Sequence, residues 1–287
     1  MKERNAIILA AGTSSRFVPL NYEKPKGLLE VKGEVLVERQ IRQLMEAGIR
    51  DITIVVGYKA KMFRYLSGKY GVSIIVNNDY VVYNNTSSVI RVLNRLGNTF
   101  LCSSDNYFPG NVFKTEESES FYSALYASGH TGEYCLSVDE NDRITHVSVG
   151  GEDSWYMVGH VFFNKDFSER FSRIMEREYC RPETRQGYWE DVYIRHIDEL
   201  PMIIHRYQEG EIEEFDSLDE LRLFDESYMN DTRSSIVKEI CRVHGWREEQ
   251  LHDFLRMKSA DASPAFSFSV GNERFLYNGI NTKLQRL

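Results

Sequence analysis

The fold is decided by the stretch Ile7-Ile8-Leu9-Ala10-Ala11-Gly12-Thr13-Ser14-Ser15-Arg16-Phe17-Val18-Pro19-Leu20, which Pro25-Lys26 follows. It begins as an apolar run typical of a buried strand and continues as a loop of small residues. Such a loop lets backbone N–H groups approach phosphate oxygens closely, and the two cations Arg16 and Lys26 then neutralise them. The pattern predicts a phosphate-binding loop; the alternative is merely a tight strand-to-helix turn.

Strand and helix patterns alternate through the first half of the chain. Strands are predicted at Asn5–Ala10, Ile52–Val56, Ser73–Val76 and Thr99–Cys102, and helices through Val37–Met45, Phe63–Leu66 and Val89–Leu93. This alternation predicts an α/β fold, a Rossmann-like sheet flanked by helices. Ligands of such sheets bind beyond the carboxyl ends of the strands, where the small-residue loop and Asp105 both fall.

The second half changes character. Strands are predicted at Glu133–Val138, Arg143–Val149 and Trp155–Phe163, with turns at 139–142 and 150–153, then helices through Phe167–Met175 and Tyr188–Leu200 and a strand at Met202–Tyr207. After about Met229 we expect a helix through Ile236–Cys241, another near Glu248–Leu255, and a hairpin of Ala265–Val270 and Arg274–Tyr277. The predicted domains are therefore 1–228 and a small α+β C-terminal appendage, 229–287.

Composition excludes several classes of protein. The 287 residues carry a net charge of −8, which argues against a nucleic-acid partner. No run approaches the roughly 20 apolar residues of a membrane helix, and Met1–Asn5 leads directly into a strand without a signal peptide. The scattered cysteines, Cys102, Cys135, Cys180 and Cys241, lack C-x-x-C spacing. We therefore predict a cytoplasmic protein with no membrane partner.

The loop resembles the opening signature of nucleotidyltransferases that couple a nucleoside triphosphate to a phosphorylated metabolite and release pyrophosphate. That signature is L-A-A-G-x-G-x-R-x-x-P-L and then P-K, and Ser14 stands at its second glycine. The resemblance implies a mixed, mainly parallel sheet of the nucleotide-diphospho-sugar transferase type. It also implies that Arg16 holds the β- and γ-phosphates and that Lys26 reaches the α-phosphate. The implied nucleotide cradle consists of Leu9, Ala11, Gly12, Thr13, Ser14 and Ser15.

Two aspartates resemble the metal ligands of the same family. Asp105 follows a predicted strand, and Asp216 lies between a short strand and a helix. The resemblance implies that they hold Mg²⁺, a cation that prefers carboxylate oxygens. Asp216 has an alternative role as the N-cap of the helix that follows it.

Three further segments resemble bacterial phosphocholine cytidylyltransferases, so that the resemblance extends over residues 5–228. They are Tyr83–Ser88, Glu133-Tyr134 and Gln186–Asp191. By this resemblance, the base and ribose are read by Asn85, Ser87 and Ser88. An ammonium group is enclosed by Tyr134, Tyr188 and Trp189, with Glu190 or Asp191 as counter-charge. The alternative is a packed aromatic core beside a solvated acidic pair.

The predicted function is transfer of CMP from CTP to phosphocholine or a related amino-phosphate. Tyr134 replaces a tryptophan of the family and Asp191 is an extra acid, so phosphoethanolamine and 2-aminoethylphosphonate remain open as acceptors. A sugar-1-phosphate nucleotidyltransferase and an inactive nucleotide-sensing subunit are the alternatives. The appendage loosely resembles the start of bacterial choline kinases but is too short for that activity. Its exposed hairpin edge favours a homodimer.

Overall fold

The computed structural model describes residues 3–114, 118–258, 263–279 and 284–287. The strands are β1 Asn5–Ala10, β2 Glu30–Val31, β3 Glu34–Val35, β4 Asp51–Val56, β5 Ser73–Val76, β6 Thr99–Ser103, β7 Asn106–Tyr107, β8 Phe121–Val138, β9 Ile144–Phe163, β10 Ile203–Arg206, β11 Glu213–Glu214, β12 Leu251–Arg256, β13 Ala265–Val270, β14 Glu273–Asn278 and β15 Leu284–Arg286. The α-helices are α1 Leu36–Glu46, α2 Tyr65–Tyr70, α3 Thr86–Val89, α4 Lys165–Glu178, α5 Pro182–Gln186, α6 Trp189–Arg195, α7 Leu218–Phe224, α8 Ser227–Asn230 and α9 Ser235–His244.

The chain forms two compact units. The first combines Met1–Gly12 with Val37–Glu214, and the second combines Thr13–Leu36 with Phe215–Leu287. This division falls within the small-residue loop, after Gly12, and groups the rest of the loop and the residues up to Leu36 with the C-terminal part of the chain. The predicted domains, 1–228 and 229–287, were inferred from sequence patterns and not from compactness, so that boundary stays a prediction.

A seven-stranded sheet forms the centre of the first unit, in the order β10-β8-β9-β6-β1-β4-β5. The pairs β1–β4, β1–β6, β4–β5 and β10–β8 are parallel, whereas β9 runs antiparallel to both β6 and β8. Strand β1 lies between two parallel neighbours, and Ile7 and Ile8 are fully buried. This burial explains why β1 reads as a continuous apolar run. The predicted mixed, mainly parallel sheet is confirmed.

The predicted turn at residues 150–153 is wrong. These residues lie inside the long strand β9, which pairs with β8 through several register shifts. Gly150 and Asp153 have φ values of 78° and 47°, in the left-handed region that occurs at some β-bulges. The glycine and aspartate signals therefore mark bulges in a continuous strand instead of a chain reversal.

The second unit contains an antiparallel sheet in the order β12-β13-β14-β15. The predicted hairpin is confirmed as β13 and β14, which are joined at Gly271, where φ is 58°. The helix predicted near Glu248–Leu255 is wrong: a 3₁₀ turn, Glu248–Gln250, leads into strand β12. Leu251 and Phe254 are both buried, and a bulge follows His252. The bulge produces a three-residue apolar spacing that imitates a helix.

Candidate active site

The small-residue loop begins at a close backbone approach in the first unit. The carbonyl of Ala11 accepts a hydrogen bond from the N–H of Tyr58 at 3.0 Å. A Cβ atom at Gly57 would lie 2.8 Å from that carbonyl oxygen, so only glycine fits beside it. Gly12 follows and is exposed. The predicted cradle therefore starts from a point that the neighbouring strand end holds in place.

Ser14, which stands at the second glycine of the family signature, has a backbone conformation that glycine adopts more easily than serine. Its φ is 48°, in the left-handed region that residues with a Cβ atom adopt at a cost. Serine keeps the side chain at this position small, but it adopts a positive φ less readily than glycine does. The departure from the signature therefore carries local backbone strain.

Within the second unit, two cations meet one carboxylate. Asp216 forms an ion pair with Arg16, in which Nη1 of the arginine lies 2.9 Å from Oδ2 of the aspartate. The Lys26 ammonium lies 3.8 Å from the other carboxylate oxygen. The Arg16 side chain is 76% exposed, whereas that of Lys26 is 6% exposed and lies over the ring of Phe17. The arrangement is a desolvated lysine beside an accessible arginine, which suits phosphate oxygens of different depth.

Asp216 does not cap the helix that follows it. The N-cap of α7 is Ser217, whose hydroxyl accepts a hydrogen bond from the backbone N–H of Glu220. The alternative role of Asp216 as the helix cap is therefore wrong. Its carboxylate, which is 35% exposed, faces cations instead.

Asp105 lies in the turn between β6 and β7 in the first unit and is half-buried. The preceding residue anchors this turn, because the N–H of Ser104 donates to the carbonyl of Leu9 at 3.1 Å. Within the described ranges, three or more His, Cys, Asp or Glu side chains do not converge on one metal position. The two predicted carboxylates are of the ligand type that Mg²⁺ prefers, and Asp216 is exposed enough to meet a cation, although Arg16 and Lys26 pair with its oxygens here.

A cavity of about 240 Å³ opens in the first unit. Three carboxylates line it, those of Glu133, Glu190 and Glu214. Its remaining side chains are largely aromatic and apolar, among them Leu9, Tyr122, Tyr134, Met157, Tyr188 and Trp189. An acidic cavity with aromatic walls complements a small organic cation.

Glu190 is the most desolvated of these acids. Its carboxylate accepts hydrogen bonds from the Asn85 amide at 3.2 Å and from the Tyr122 hydroxyl at 3.4 Å. Burial raises the pKa of Glu190 to about 7, and these hydrogen bonds only partly oppose that rise. A cation in the cavity would favour the ionised form.

The neighbouring acid, Asp191, has a structural role. One of its oxygens accepts the N–H of Tyr188 at 2.7 Å, and the other accepts the hydroxyl of Tyr134 at 3.1 Å. Asp191 thus satisfies a backbone group at the start of α6 and orients an aromatic wall of the cavity. Between the two acids proposed as counter-charge, the geometry favours Glu190.

Trp189 lies both in the cavity wall and in the core. It is 3% exposed and stacks on Tyr122, with ring centroids 5.8 Å apart. Phe163 and Phe171 pack edge-on against its other side. Tyr188 and Trp189 therefore contribute differently to the cavity wall. Tyr188 is 47% exposed, whereas the buried Trp189 anchors the wall to the core.

The residues predicted to read the base have structural partners in the first unit. Ser87 and Ser88 are buried, and their hydroxyls accept hydrogen bonds from the Asn77 amide at 2.8 and 3.0 Å. The amide oxygen of Asn85 accepts the N–H of Trp189 at 2.7 Å. Asn85 therefore lies at the acidic cavity, and its role in base recognition stays a prediction, as does that of the two serines.

Among the residues that line the cavity, three that contact or accompany its acidic centre are absent from the predicted site: Glu133, Glu214 and Tyr122. Glu133 had a signal, because it belongs to the acidic–aromatic pair that includes Tyr134. Glu214 precedes Asp216 by two residues, but the family resemblance indicates only Asp216 as a site residue. Tyr122 had no local signal, because its approach to Glu190 follows from the packing of β8 beside α6.

Comparisons with known proteins show which family this chain belongs to. Residues 6–114 match the family model described as a MobA-like NTP transferase domain. The 2-aminoethylphosphonate cytidylyltransferase of Lancefieldella rimae is 36% identical over 81% of this chain and 96% of its own length. The chain belongs to the nucleotidyltransferase family. The choline-phosphate cytidylyltransferase of Streptococcus pneumoniae is 32% identical over 79% of this nucleotidyltransferase and 99% of the relative.

A solved structure supports the same family. The CTP:phosphocholine cytidylyltransferase of Streptococcus pneumoniae matches 78% of this nucleotidyltransferase and 99% of its own chain, with a TM-score of 0.75 and 32% identity. The predicted resemblance to cytidylyltransferases is thereby confirmed. Among the residues that the structure describes, the helices are too short or too polar to cross a membrane.

Proposed function

We propose that this nucleotidyltransferase transfers CMP from CTP to a small phosphate or phosphonate that carries an ammonium group, and releases pyrophosphate. The observation that carries the proposal is the acidic cavity, in which Glu190 is desolvated. An uncompensated carboxylate in such a place is costly unless it is protonated or meets a cation. An ammonium group supplies that cation.

The chemistry requires alignment and charge neutralisation more than covalent catalysis. An oxygen of the acceptor attacks the α-phosphorus of CTP, and the bond from that phosphorus to the β-bridging oxygen breaks as pyrophosphate leaves. Lys26 reduces the repulsion between the attacking anion and the α-phosphate. Arg16 holds the phosphates that depart, which its exposed position on Asp216 allows.

Mg²⁺ would be held by Asp105 and Asp216 and would neutralise charge on the triphosphate. The chemistry and the exposure of Asp216 support this role, because Mg²⁺ prefers oxygen ligands such as carboxylates and the Asp216 side chain is 35% exposed. Replacement of Asp216 by Asn should remove most Mg²⁺-dependent turnover, about 10²-fold or more. Near-normal turnover would leave Asp216 as an ion-pair partner only.

The acceptor belongs to the amino-phosphates, and relatives with different printed substrates support two candidates. One relative is a 2-aminoethylphosphonate enzyme and another is a choline-phosphate enzyme. The carboxylates of the cavity provide hydrogen-bond acceptors that suit a primary ammonium, whereas its aromatic walls suit a quaternary one. A sugar-1-phosphate has no cationic group, because its sugar moiety is uncharged, and would leave those acids uncompensated, which argues against the sugar alternative.

A pyrophosphate-release assay tests the proposal. CTP, UTP, ATP and GTP are each combined with phosphocholine, phosphoethanolamine, 2-aminoethylphosphonate and glucose-1-phosphate in the presence of Mg²⁺. We expect activity with CTP and one or more of the ammonium-bearing acceptors. Preference for glucose-1-phosphate would reject the cavity as an ammonium site, and absence of turnover would favour a nucleotide-sensing subunit.

The remaining predictions concern the protein's surroundings. The cysteines are free thiols, and Cys102, Cys135 and Cys241 are buried, which supports a reducing compartment such as the cytoplasm. A homodimer through the hairpin edge and kinship of the appendage with choline kinases stay predictions. Native mass spectrometry distinguishes monomer from dimer.

A further inference from the structure

The chain that leads from the phosphate loop to Lys26 is a succession of short hydrogen-bonded turns in the second unit. The N–H of Phe17 donates to the carbonyl of Ser14 at 2.9 Å, and that of Asn21 donates to the carbonyl of Phe17 at 3.0 Å. The buried side chain of Asn21 also donates to the carbonyl of Thr13 at 3.2 Å. Hydrogen bonds therefore connect these turns from Thr13 to Asn21, so that a displacement of one turn is expected to move the next.

Glu23 ties this succession of turns to α9. Its carboxylate accepts the N–H of Ser235 at 3.0 Å, the hydroxyl of Ser235 at 2.6 Å and the N–H of Ile236 at 3.3 Å, together with the hydroxyl of Ser234. Burial by itself would raise the pKa of Glu23, but these hydrogen bonds lower it below its ordinary value. The ionised carboxylate also lies favourably at the N-terminus of a helix.

Tyr22 makes a second attachment, to the sheet of the same unit. Its hydroxyl donates to the carbonyl of Ala265 at 2.9 Å and accepts the N–H of the same residue at 3.3 Å. Its ring lies 6.3 Å from that of Phe266. Both partners belong to β13, so adjacent residues of the turn chain contact a helix and a strand of the segment 229–287.

We propose that the segment 229–287 positions the nucleotide-binding loop, and that Glu23 and Tyr22 are the positioning residues through which it acts. The inference rests on the proposed function, since it assigns Arg16 and Lys26 to the triphosphate. Glu23 lies three residues before Lys26 and touches no proposed substrate group. Loss of its contacts should therefore loosen the loop and weaken CTP binding while the acceptor cavity of the first unit is unaffected.

The test compares Glu23→Ala with Glu23→Asp and Tyr22→Phe in the full chain. We expect Glu23→Ala to raise KM for CTP about 5- to 10-fold, with KM for the acceptor changed by less than about 2-fold. Glu23→Asp keeps the charge and should recover part of the loss, and Tyr22→Phe should show a smaller effect of the same kind. Hydrogen–deuterium exchange of peptides covering residues 13–29 should become faster in each variant.

Glu239→Ala is the matched control, because Glu239 is an acid of α9 that pairs with Arg242 on the helix surface. It should leave both the exchange of residues 13–29 and KM for CTP unchanged. Unchanged exchange and KM in Glu23→Ala and Tyr22→Phe would overturn the positioning role. If Glu23→Ala fails to fold, Tyr22→Phe decides, since it removes only a hydroxyl. A wild-type protein without CTP transfer would reject the proposed function, whereas the exchange comparison would still decide the positioning role.

Discussion

The acidic cavity of the first unit and the cationic loop of the second, which carries Arg16 and Lys26, both hold charged side chains that are partly removed from water, but the charges have opposite signs. In the cavity, carboxylates gather and no lysine or arginine belongs to the described lining. His160, which also lines it, is neutral, because burial lowers its pKa to about 3. In the loop, Arg16 and Lys26 share the carboxylate of Asp216. Under the proposed function, each region carries charge of the sign opposite to that of its ligand.

The difference lies in how each region tolerates its charge without ligand. Glu190 is desolvated, and its pKa rises to about 7, so protonation relieves the cost. Lysine and arginine cannot lose their charge so easily, and an ion pair with Asp216 relieves it instead. Under the proposed function, an ammonium ligand would displace the proton of Glu190 in the cavity, whereas a phosphate would replace the ion pair with Asp216 in the loop.

The largest effect is expected in the loop. Lys26→Met keeps the length of the buried side chain but removes the charge that faces the reacting phosphates, so kcat should fall by about 10²- to 10³-fold. Lys24→Met is the control, since Lys24 is exposed and two residues away. Steady-state kinetics with saturating CTP measure both. Similar kcat values in the two variants would remove Lys26 from the chemistry.

In the cavity, Glu190→Gln is expected to act on the acceptor alone. Loss of the charge should raise KM for the ammonium acceptor roughly 10-fold or more and leave KM for CTP nearly unchanged. Asp191→Asn is the adjacent comparison: it weakens the contacts with Tyr188 and Tyr134 and should lower the melting temperature. If Asp191→Asn alone raised KM for the acceptor, the counter-charge would be Asp191.

The pH dependence follows from the raised pKa of Glu190. Below about pH 7 the carboxyl of the free enzyme is protonated, so kcat/KM for the acceptor should fall as pH decreases through 7. Glu190→Gln should remove that limb of the profile. The same profile measured for kcat/KM of CTP controls for titration of the loop. A limb that persists in Glu190→Gln would arise from the acceptor phosphate instead.

The raised pKa of Glu190 also predicts how the stability of the fold depends on pH. A carboxyl whose pKa is raised on folding contributes stability below its unfolded value of 4.5, and that contribution is lost as pH rises toward 7. Glu190→Gln should therefore raise the melting temperature more at pH 8 than at pH 5. Thermal unfolding at the two pH values checks it, and an equal shift at both would show that Glu190 is ionised without cost.

The smallest effect concerns the strain at Ser14. Ser14→Gly relieves the positive φ of 48° and should stabilise the protein by about 0.5 to 1 kcal/mol without lowering kcat. Ser15→Gly is the matched control, because its backbone has no positive φ and glycine there should only destabilise. Chemical denaturation measures both changes. A destabilised Ser14→Gly would mean that the serine side chain, not the backbone, stabilises the loop.

Local sequence patterns were sufficient to predict secondary structure where the pattern lies within a single strand, hairpin or helix. The apolar run of β1, the hairpin around Gly271 and the helix of Phe167 were all predicted, because side-chain periodicity and turn chemistry act over a few residues. They failed where bulges interrupt a strand: Asp153 resembled a turn, and Phe254 resembled one face of a helix. A bulge changes which residues share a face, and neighbouring strands determine where it forms.

The sequence by itself determined the family and the residue types of the chemistry, since the loop, Arg16, Lys26 and the acidic–aromatic segments stand at recognisable spacings. Only the tertiary structure distinguished Glu190 from Asp191, because desolvation and hydrogen-bond partners depend on what packs around each carboxylate. Only it joined Glu23 to Ser235, residues 212 positions apart. The spacing of residues along the chain shows which types of side chain are present, whereas burial and contacts depend on the fold, and only these distinguish two adjacent acids.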